Sequence, residues 1–340
     1  MTRLRWLRVA ALVGALALVA SACGDDGGGE GDGDLPTVVF QGFPADPAAL
    51  PLLVMQEEGL DRDNGFIGEY LAVDPDAATN TFLIGESDIA MEQDGVNMTI
   101  VQQEGHEAVL FAPGLNMVTG IVVAEDSPYQ DPTDLVGERV GHFGIDSGTT
   151  STIALMIREI YGLDILSEYD FRETGPEALP ELLKSGEVEA ILDFEPLALR
   201  AVLETPGRYL FEPTKAWAEH TGGWSPWLTN LAAREDWLAE NEDIAIGIRD
   251  AWMEGIRILE DSDYELLREE PYNSFMELKS DEELDAFIEY CADLPCFGSS
   301  WTEEDITELN NYLGLFAEHD ILIEETASEP VAVILEDYYG

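Results

Sequence analysis

Residues 145–151, Ile-Asp-Ser-Gly-Thr-Thr-Ser, form the segment of this 340-residue chain best equipped to hold a small molecule. Gly148 permits a tight turn, and Ser147, Thr149 and Thr150 place hydroxyls beside the free N–H groups of a helix predicted from Thr149 to Tyr161. Exposed donors at a helix N-terminus favour a carboxylate, a sulfonate, nitrate or a neutral carbonyl. The same residue types also make an ordinary helix cap. Aromatic rings supply the other half of a small-molecule pocket, because their faces can sandwich a planar or apolar ligand. Phe43, Phe194, Trp224 and Trp227 lie in candidate loops, and the two tryptophans flank Ser225-Pro226 in an irregular stretch. Those loops contain no lysine or arginine. A strongly anionic ligand often recruits an Arg fork, so the expected ligand is uncharged, zwitterionic or a cationic heteroaromatic. Glu92, Asp193 or Glu195 could pair with a ligand cation.

Catalytic chemistry finds little support. The four histidines, His106, His142, His220 and His319, have no second histidine or cysteine at metal-ligand spacing, and nucleophile-elbow and zincin signatures are absent. Ser147 has no lysine three residues on, so the penicillin-binding pattern also fails. Neither a metal nor a cofactor is called for. With 70 acidic against 16 basic residues, the formal net charge is −54. Such a surface repels nucleic acid and anionic membranes. Yet 46% of the residues are hydrophobic, which makes a packed globular protein with a carboxylate coat, as expected in salty surroundings, and not a disordered acidic chain. About one residue in five is acidic, so an acidic cluster alone is weak evidence for a site.

The N-terminus bears an export signature. Arg3, Arg5 and Arg8 precede an apolar run from Val9 to Val19 and the small residues Ala20-Ser21-Ala22, followed by Cys23. The run is too short to span a bilayer, which takes about 20 apolar residues. The pattern resembles bacterial lipoprotein signals, which implies a leader over residues 1–22, lipidation of Cys23 and anchoring outside the cytoplasm. Residues 23–34 then form an acidic, Gly-rich tether. Outside the reducing cytosol, Cys291 and Cys296 are expected to pair, with Pro295 ending the preceding helix so that the chain folds back.

The elements that must position these residues alternate. Strands are predicted at Thr37–Gln41, Glu69–Val73, Asp88–Glu92, Glu107–Ala112, Met117–Ala124, Glu138–Phe143, Tyr169–Arg172, Val188–Phe194 and, at an edge, Arg208–Glu212. Helices are predicted between them at Ala48–Leu60, Asp76–Leu83, Val96–Gln103, Thr149–Tyr161, Pro176–Ser185 and Pro196–Leu203. This order argues for an α/β fold with mostly parallel sheets. From Arg234 onward helices dominate, with start signals at Ser280/Glu283 and Thr302/Asp305. In open α/β sheets ligands bind beyond the carboxyl ends of the strands. That rule selects Gly42 to Asp46 with Phe43, Glu92 to Gly95 with Gln93, Gly144 to Ser151 with Ser147, Gly148, Thr149 and Thr150, Phe194 and Glu195, and the returning segment Gly222 to Asn230 with Trp224 and Trp227.

Three stretches in order, GESDIAM at 85–91, PTDLVGERVGHFGIDSGTTS at 132–151 and SGEVEAILDFEP at 185–196, resemble the periplasmic binding proteins of the nitrate, sulfonate, taurine and thiamine-pyrimidine-precursor uptake group. The resemblance covers about residues 37–235. It implies a two-lobed, type II periplasmic-binding-protein fold, with lobe one of residues 35–120 plus 226–340 and lobe two of 121–225. Crossings are expected near Thr119–Val122 and between Lys215 and Leu228. It further implies a monomer that captures a small organic molecule in the interlobe cleft and delivers it to an ABC permease and its ATPase. A ligand-sensing lipoprotein partner of a membrane receptor has the same lobes. A related branch makes a pyrimidine using a cysteine-rich motif with no counterpart here.

Overall fold

The computed structural model describes residues 35–340. The leader, Cys23 and the tether lie outside the described residues. Ten strands build two five-stranded mixed sheets. In chain order they are β1 (Thr37–Gly42), β2 (Ile67–Ala72), β3 (Ile89–Gln93), β4 (Ala108–Pro113), β5 (Thr119–Ala124), β6 (Arg139–His142), β7 (Asp170–Glu173), β8 (Ala190–Phe194), β9 (Gly207–Phe211) and β10 (Asn230–Arg234). The first sheet has the order β2-β1-β3-β10-β4 and the second β7-β6-β8-β5-β9. With helices covering the sheets, this is the two-lobed binding-protein architecture.

The nine strands expected from the alternating apolar pattern are present within one to two residues at each end. The tenth was not expected. β10, Asn-Leu-Ala-Ala-Arg, has no β-branched or aromatic residue to announce a strand. It is nevertheless central, antiparallel to both β3 and β4. In the second sheet β5 likewise runs antiparallel to β8 and β9. Four strands of each sheet run the same way, as expected of mostly parallel sheets, and each sheet carries one reversed strand, placed where the chain arrives from the other lobe. The helix Pro213–Thr221 was also not anticipated.

The first crossing lies just upstream of its expected position, and the return overlaps the expected range between Lys215 and Leu228. Thr119–Val122 is part of β5, so the anticipated boundary at 120/121 cuts a strand. The chain crosses instead over residues 114–118 and returns over 222–229, and the two segments pair through an antiparallel bridge between Asn116 and Trp227. The Leu228 amide donates to the Leu115 carbonyl at 2.8 Å. Backbone N–H and C=O groups that neither sheet can satisfy thus pair across the two crossing segments.

The C-terminal helices knit the lobes. Glu242–Asp261 packs on Leu50–Glu58, where Gly255 approaches so closely that a Cβ there would lie 2.9 Å from the Pro51 carbonyl oxygen. Trp252 in the same helix is fully buried and donates its indole N–H to the Pro113 carbonyl at 2.8 Å. Ser280 caps Asp281–Asp293, and Thr302 and Asp305 form a reciprocal capping box on Glu303–Glu318, as the start signals indicated. Tyr312 donates to the Thr152 hydroxyl of the second lobe at 2.9 Å. On another face Arg200 and Glu283 make a buried ion pair at 2.8 Å. Cys291 and Cys296 are joined by a disulfide with their Cα atoms 5.0 Å apart, just after the helix ends at Asp293.

Candidate ligand-binding cleft

Strands β1 and β3 of the first sheet run parallel, as do β6 and β8 of the second, and residues at or just past their carboxyl ends, Phe43, Gln93, Phe143 and Phe194, line one cavity. Between these ends lies a cavity of about 400 Å³ walled by both lobes. Side chains there are set by the loop that follows each strand, as the topology of open α/β sheets requires.

On the first lobe's wall, Gln41 organises a polar network. The Ser87 hydroxyl donates to Gln41 Oε1 at 2.6 Å, which turns Gln41 Nε2 toward Glu92 Oε1 at 2.6 Å and the Ala78 carbonyl at 2.9 Å. Gln93 Nε2 donates to the same Glu92 oxygen at 3.0 Å. The second oxygen, Glu92 Oε2, is enclosed and has no hydrogen-bond partner. Burial pushes the Glu92 carboxyl up to about 7, against the Gln41 and Gln93 amides and its own backbone N–H, which favour its charged form, and with the nearby Asp46 carboxyl adding to the rise.

Asp46 follows β1 and caps the short helical turn Pro47–Ala49. It accepts the Ala48 amide on Oδ1 at 2.9 Å and the Phe43 amide on Oδ2 at 3.2 Å. Burial outweighs these bonds and raises it to about 6. Asp94, the next residue after β3, caps helix Gly95–Gln103 by accepting the Val96 and Asn97 amides on Oδ1 at 2.7 and 2.9 Å. Its other oxygen faces the opposite lobe, where a Cβ on Gly148 would stand 3.2 Å from it. Burial likewise raises Asp94.

The second lobe contributes the loop singled out in the sequence. Ser147 accepts the Thr150 amide at 3.1 Å and donates its hydroxyl to the Gly144 carbonyl at 2.9 Å, starting helix Gly148–Tyr161. Ser147, Gly148 and Thr149 lie on the cavity wall. Thr150 does not: it is fully buried, with its hydroxyl 3.0 Å from that of Ser147. Glu195 lines the cavity with both oxygens engaged, Oε2 accepting the Leu199 amide at 2.9 Å and Oε1 accepting the Tyr209 hydroxyl. Burial raises it to about 7. Asp193 lies beneath the wall, fully buried and pushed well above the usual carboxylate range by burial. As a partner for a ligand cation it is therefore corrected to a residue of the sheet interior.

Phe43, Asp46, Glu92, Gln93, Ser147, Gly148, Thr149, Phe194 and Glu195 are thus brought together around one cavity. The two tryptophans are not. Trp227 is 6% exposed and packs on Trp301 at 5.1 Å between ring centroids and on Trp224 at 6.0 Å, while Trp224 meets Tyr312 at 6.1 Å. Gly298 leaves room for the Trp227 indole, whose Nε1 would be 2.1 Å from a Cβ at that position. These rings form an aromatic core behind the crossing segments. Irregular backbone misled the expectation, since the flanking C-terminal helix supplies packing that local sequence cannot reveal.

Sequence reasoning passed over Phe143 and Thr79, both on the wall, while Asp94, within the selected loop 92–95, is on it as well. Phe143 makes an edge-to-face contact with Phe194 at 5.4 Å. It ends the predicted strand Glu138–Phe143, and its position one residue past β6 was the available signal. No lysine, arginine or histidine lines the cavity. His142 is buried with Nδ1 accepting the Gly144 amide at 3.2 Å, and burial lowers its pKa. Among the described residues, no group of three or more His, Cys, Asp or Glu is arranged to hold a metal ion.

Residues 37–266 match the NMT1-like family. No curated relative matches the sequence. Among solved structures, the periplasmic aliphatic sulphonate-binding protein SsuA of Escherichia coli is 15% identical with a TM-score of 0.66, covering 90% of this chain and 99% of that one. The ligand-binding component of an ABC-type import system from Staphylococcus aureus, solved with zinc bound, is 13% identical with a TM-score of 0.68, covering 90% and 99%. The desulfurization enzyme DSZB has the same fold at 12% identity and a TM-score of 0.60, covering 89% and 99%.

Proposed function

We propose that this chain, which belongs to the NMT1-like family, is the extracytoplasmic substrate-binding protein of an ABC importer and holds a small organic molecule between its lobes without transforming it. One observation carries the reading: the cavity lies between the carboxyl ends of strands from two sheets and takes its wall from both. A molecule seated there contacts both lobes only when they are closed, so binding selects the closed form that a permease can distinguish from the empty one. The site residues in this reading are Phe43, Asp46, Glu92 and Gln93 on the first lobe and Ser147, Gly148, Thr149, Phe194 and Glu195 on the second. The working division follows the crossings, with lobe one at about 35–113 plus 230–340 and lobe two at about 119–221, acting as a monomer. The leader pattern ending at Cys23 supports lipid anchoring to the outer side of the cell membrane, where the ABC permease and its ATPase are the partners.

A thermal-shift screen of small organic molecules tests this reading. At least one compound is expected to raise the melting temperature of the wild type and to leave Thr79→Trp unmoved, because the indole would fill the cavity from helix Pro75–Leu83. Stabilisation by mass action amounts to about 2.7 kcal/mol at a hundredfold excess over Kd. A compound that stabilises both proteins equally binds elsewhere, and the reading then fails.

A further inference from the structure

The cavity wall contains five carboxyl groups, those of Asp46, Glu92, Asp94, Asp146 and Glu195, and no basic side chain. In a chain this acidic the count means little, so each oxygen must be followed to its partner. Both Asp46 oxygens accept backbone amides, and both Glu195 oxygens are taken by Leu199 and Tyr209. Asp146 is exposed at the mouth. Glu92 differs. Its Oε1 is clamped by two amide donors from Gln41 and Gln93, while Oε2 is enclosed and unpartnered. An enclosed carboxyl oxygen with no donor is costly unless something outside the chain supplies one.

A second observation comes from the facing lobe. The first turn of helix Gly148–Tyr161 is where an anionic ligand would find donors. Asp94 Oδ2 is already directed there, close enough that a Cβ on Gly148 would meet it at 3.2 Å. The chain's own carboxyl thus stands where a ligand anion would otherwise sit, and a sulfonate arriving there would meet Asp94 in a cavity whose wall also carries Glu92 and Asp46.

Resting on the binding reading above, we propose that the ligand is an organic cation, an ammonium or amidinium whose N–H donates to Glu92 Oε2, with its apolar body lying between Phe43 and Phe194. Gln41 and Gln93 act as positioning residues: by fixing Oε1 they aim Oε2 and leave it the free acceptor. Phe43 follows β1 and Phe194 ends β8, so the two rings come from opposite lobes. A ring face also attracts a cation electrostatically.

The test is a thermal-shift and calorimetric comparison sorted by charge: benzylammonium, benzamidinium, choline and spermidine; the neutral benzyl alcohol and benzamide; and benzenesulfonate and ethanesulfonate. It is run at pH 8 on wild type, Glu92→Gln and Thr79→Trp. Stabilisation by one or more cations, lost with Thr79→Trp and weakened at least tenfold by Glu92→Gln, is expected. The melting temperature of each variant without ligand establishes that it is folded, and Gln93→Ala, which removes one of the two donors that fix Oε1, should weaken the same cation by a smaller factor. Stabilisation only by neutral compounds or sulfonates, sensitive to Thr79→Trp, overturns the cation proposal while leaving the binding reading intact. Cation binding unaffected by Glu92→Gln overturns it as well. No stabilisation by any class overturns both.

Discussion

Glu92 carries the account at the scale of single residues, and its protonation gives a test that needs no ligand. In the empty protein its carboxyl is raised from 4.5 to about 7. A folded-state value above the unfolded one means that the native state binds the proton more tightly. The stabilising contribution is therefore fully present below about pH 4.5 and is lost as the pH rises through 7. Glu92→Gln keeps an acceptor for the Gln41 amide but has no charge to desolvate. The variant should match the wild type near pH 4.5 and be more stable at pH 8.5 by roughly 1–3 kcal/mol, from about 1.4 kcal/mol per pKa unit. Urea titrations across that range decide it, and parallel stability curves for the two proteins would show that Glu92 is not held in a charge-averse environment. The acid itself was visible in the sequence, because it ends a strand. What could not be read there was which of its oxygens would be free, since that depends on Gln41, 51 residues away along the chain, and on the Ser87 hydroxyl that orients it.

At the scale of elements, strand ends and caps were legible wherever local chemistry decides: apolar alternation for β1 or β8, and Ser280 and Thr302 for their helices. Elements fixed by tertiary contacts were not. β10 holds its central place through pairing with β3 and β4, and its alanines suit the crowded middle of a covered sheet more than any strand propensity. The Trp224–Trp227 segment failed for the same reason, as its partners Tyr312 and Trp301 come from the C-terminal region. This placement decides what Trp227→Ala should do. Removing a ring that is 6% exposed should cost about 3–5 kcal/mol of stability and leave ligand affinity unchanged at temperatures where the variant is folded. Chemical denaturation alongside calorimetric titration separates the two. A variant of wild-type stability with weakened binding would put the indole back in the site.

Over the whole molecule, two sheets meet at their carboxyl ends, two crossing segments pair side by side, and C-terminal helices touch both lobes through Tyr312 and through Arg200 with Glu283. The long-range field of a chain with net charge −54 draws cations toward the surface and repels anions, in keeping with the carboxyl-lined cleft. Family resemblance supplied the two-lobed frame before any coordinates, because three motifs in order constrain topology. The identity of the cleft's occupant depends on side chains from both lobes and was legible only as an absence of basic residues. The claim that a small molecule is gripped by both lobes is tested most directly by hydrogen–deuterium exchange with and without the most stabilising cation of the charge-sorted set. The account predicts slowed exchange in residues 43–49 and 94–97 of one lobe together with 147–152 and 195–199 of the other. Slowed exchange confined to one lobe, or outside these loops, would contradict it.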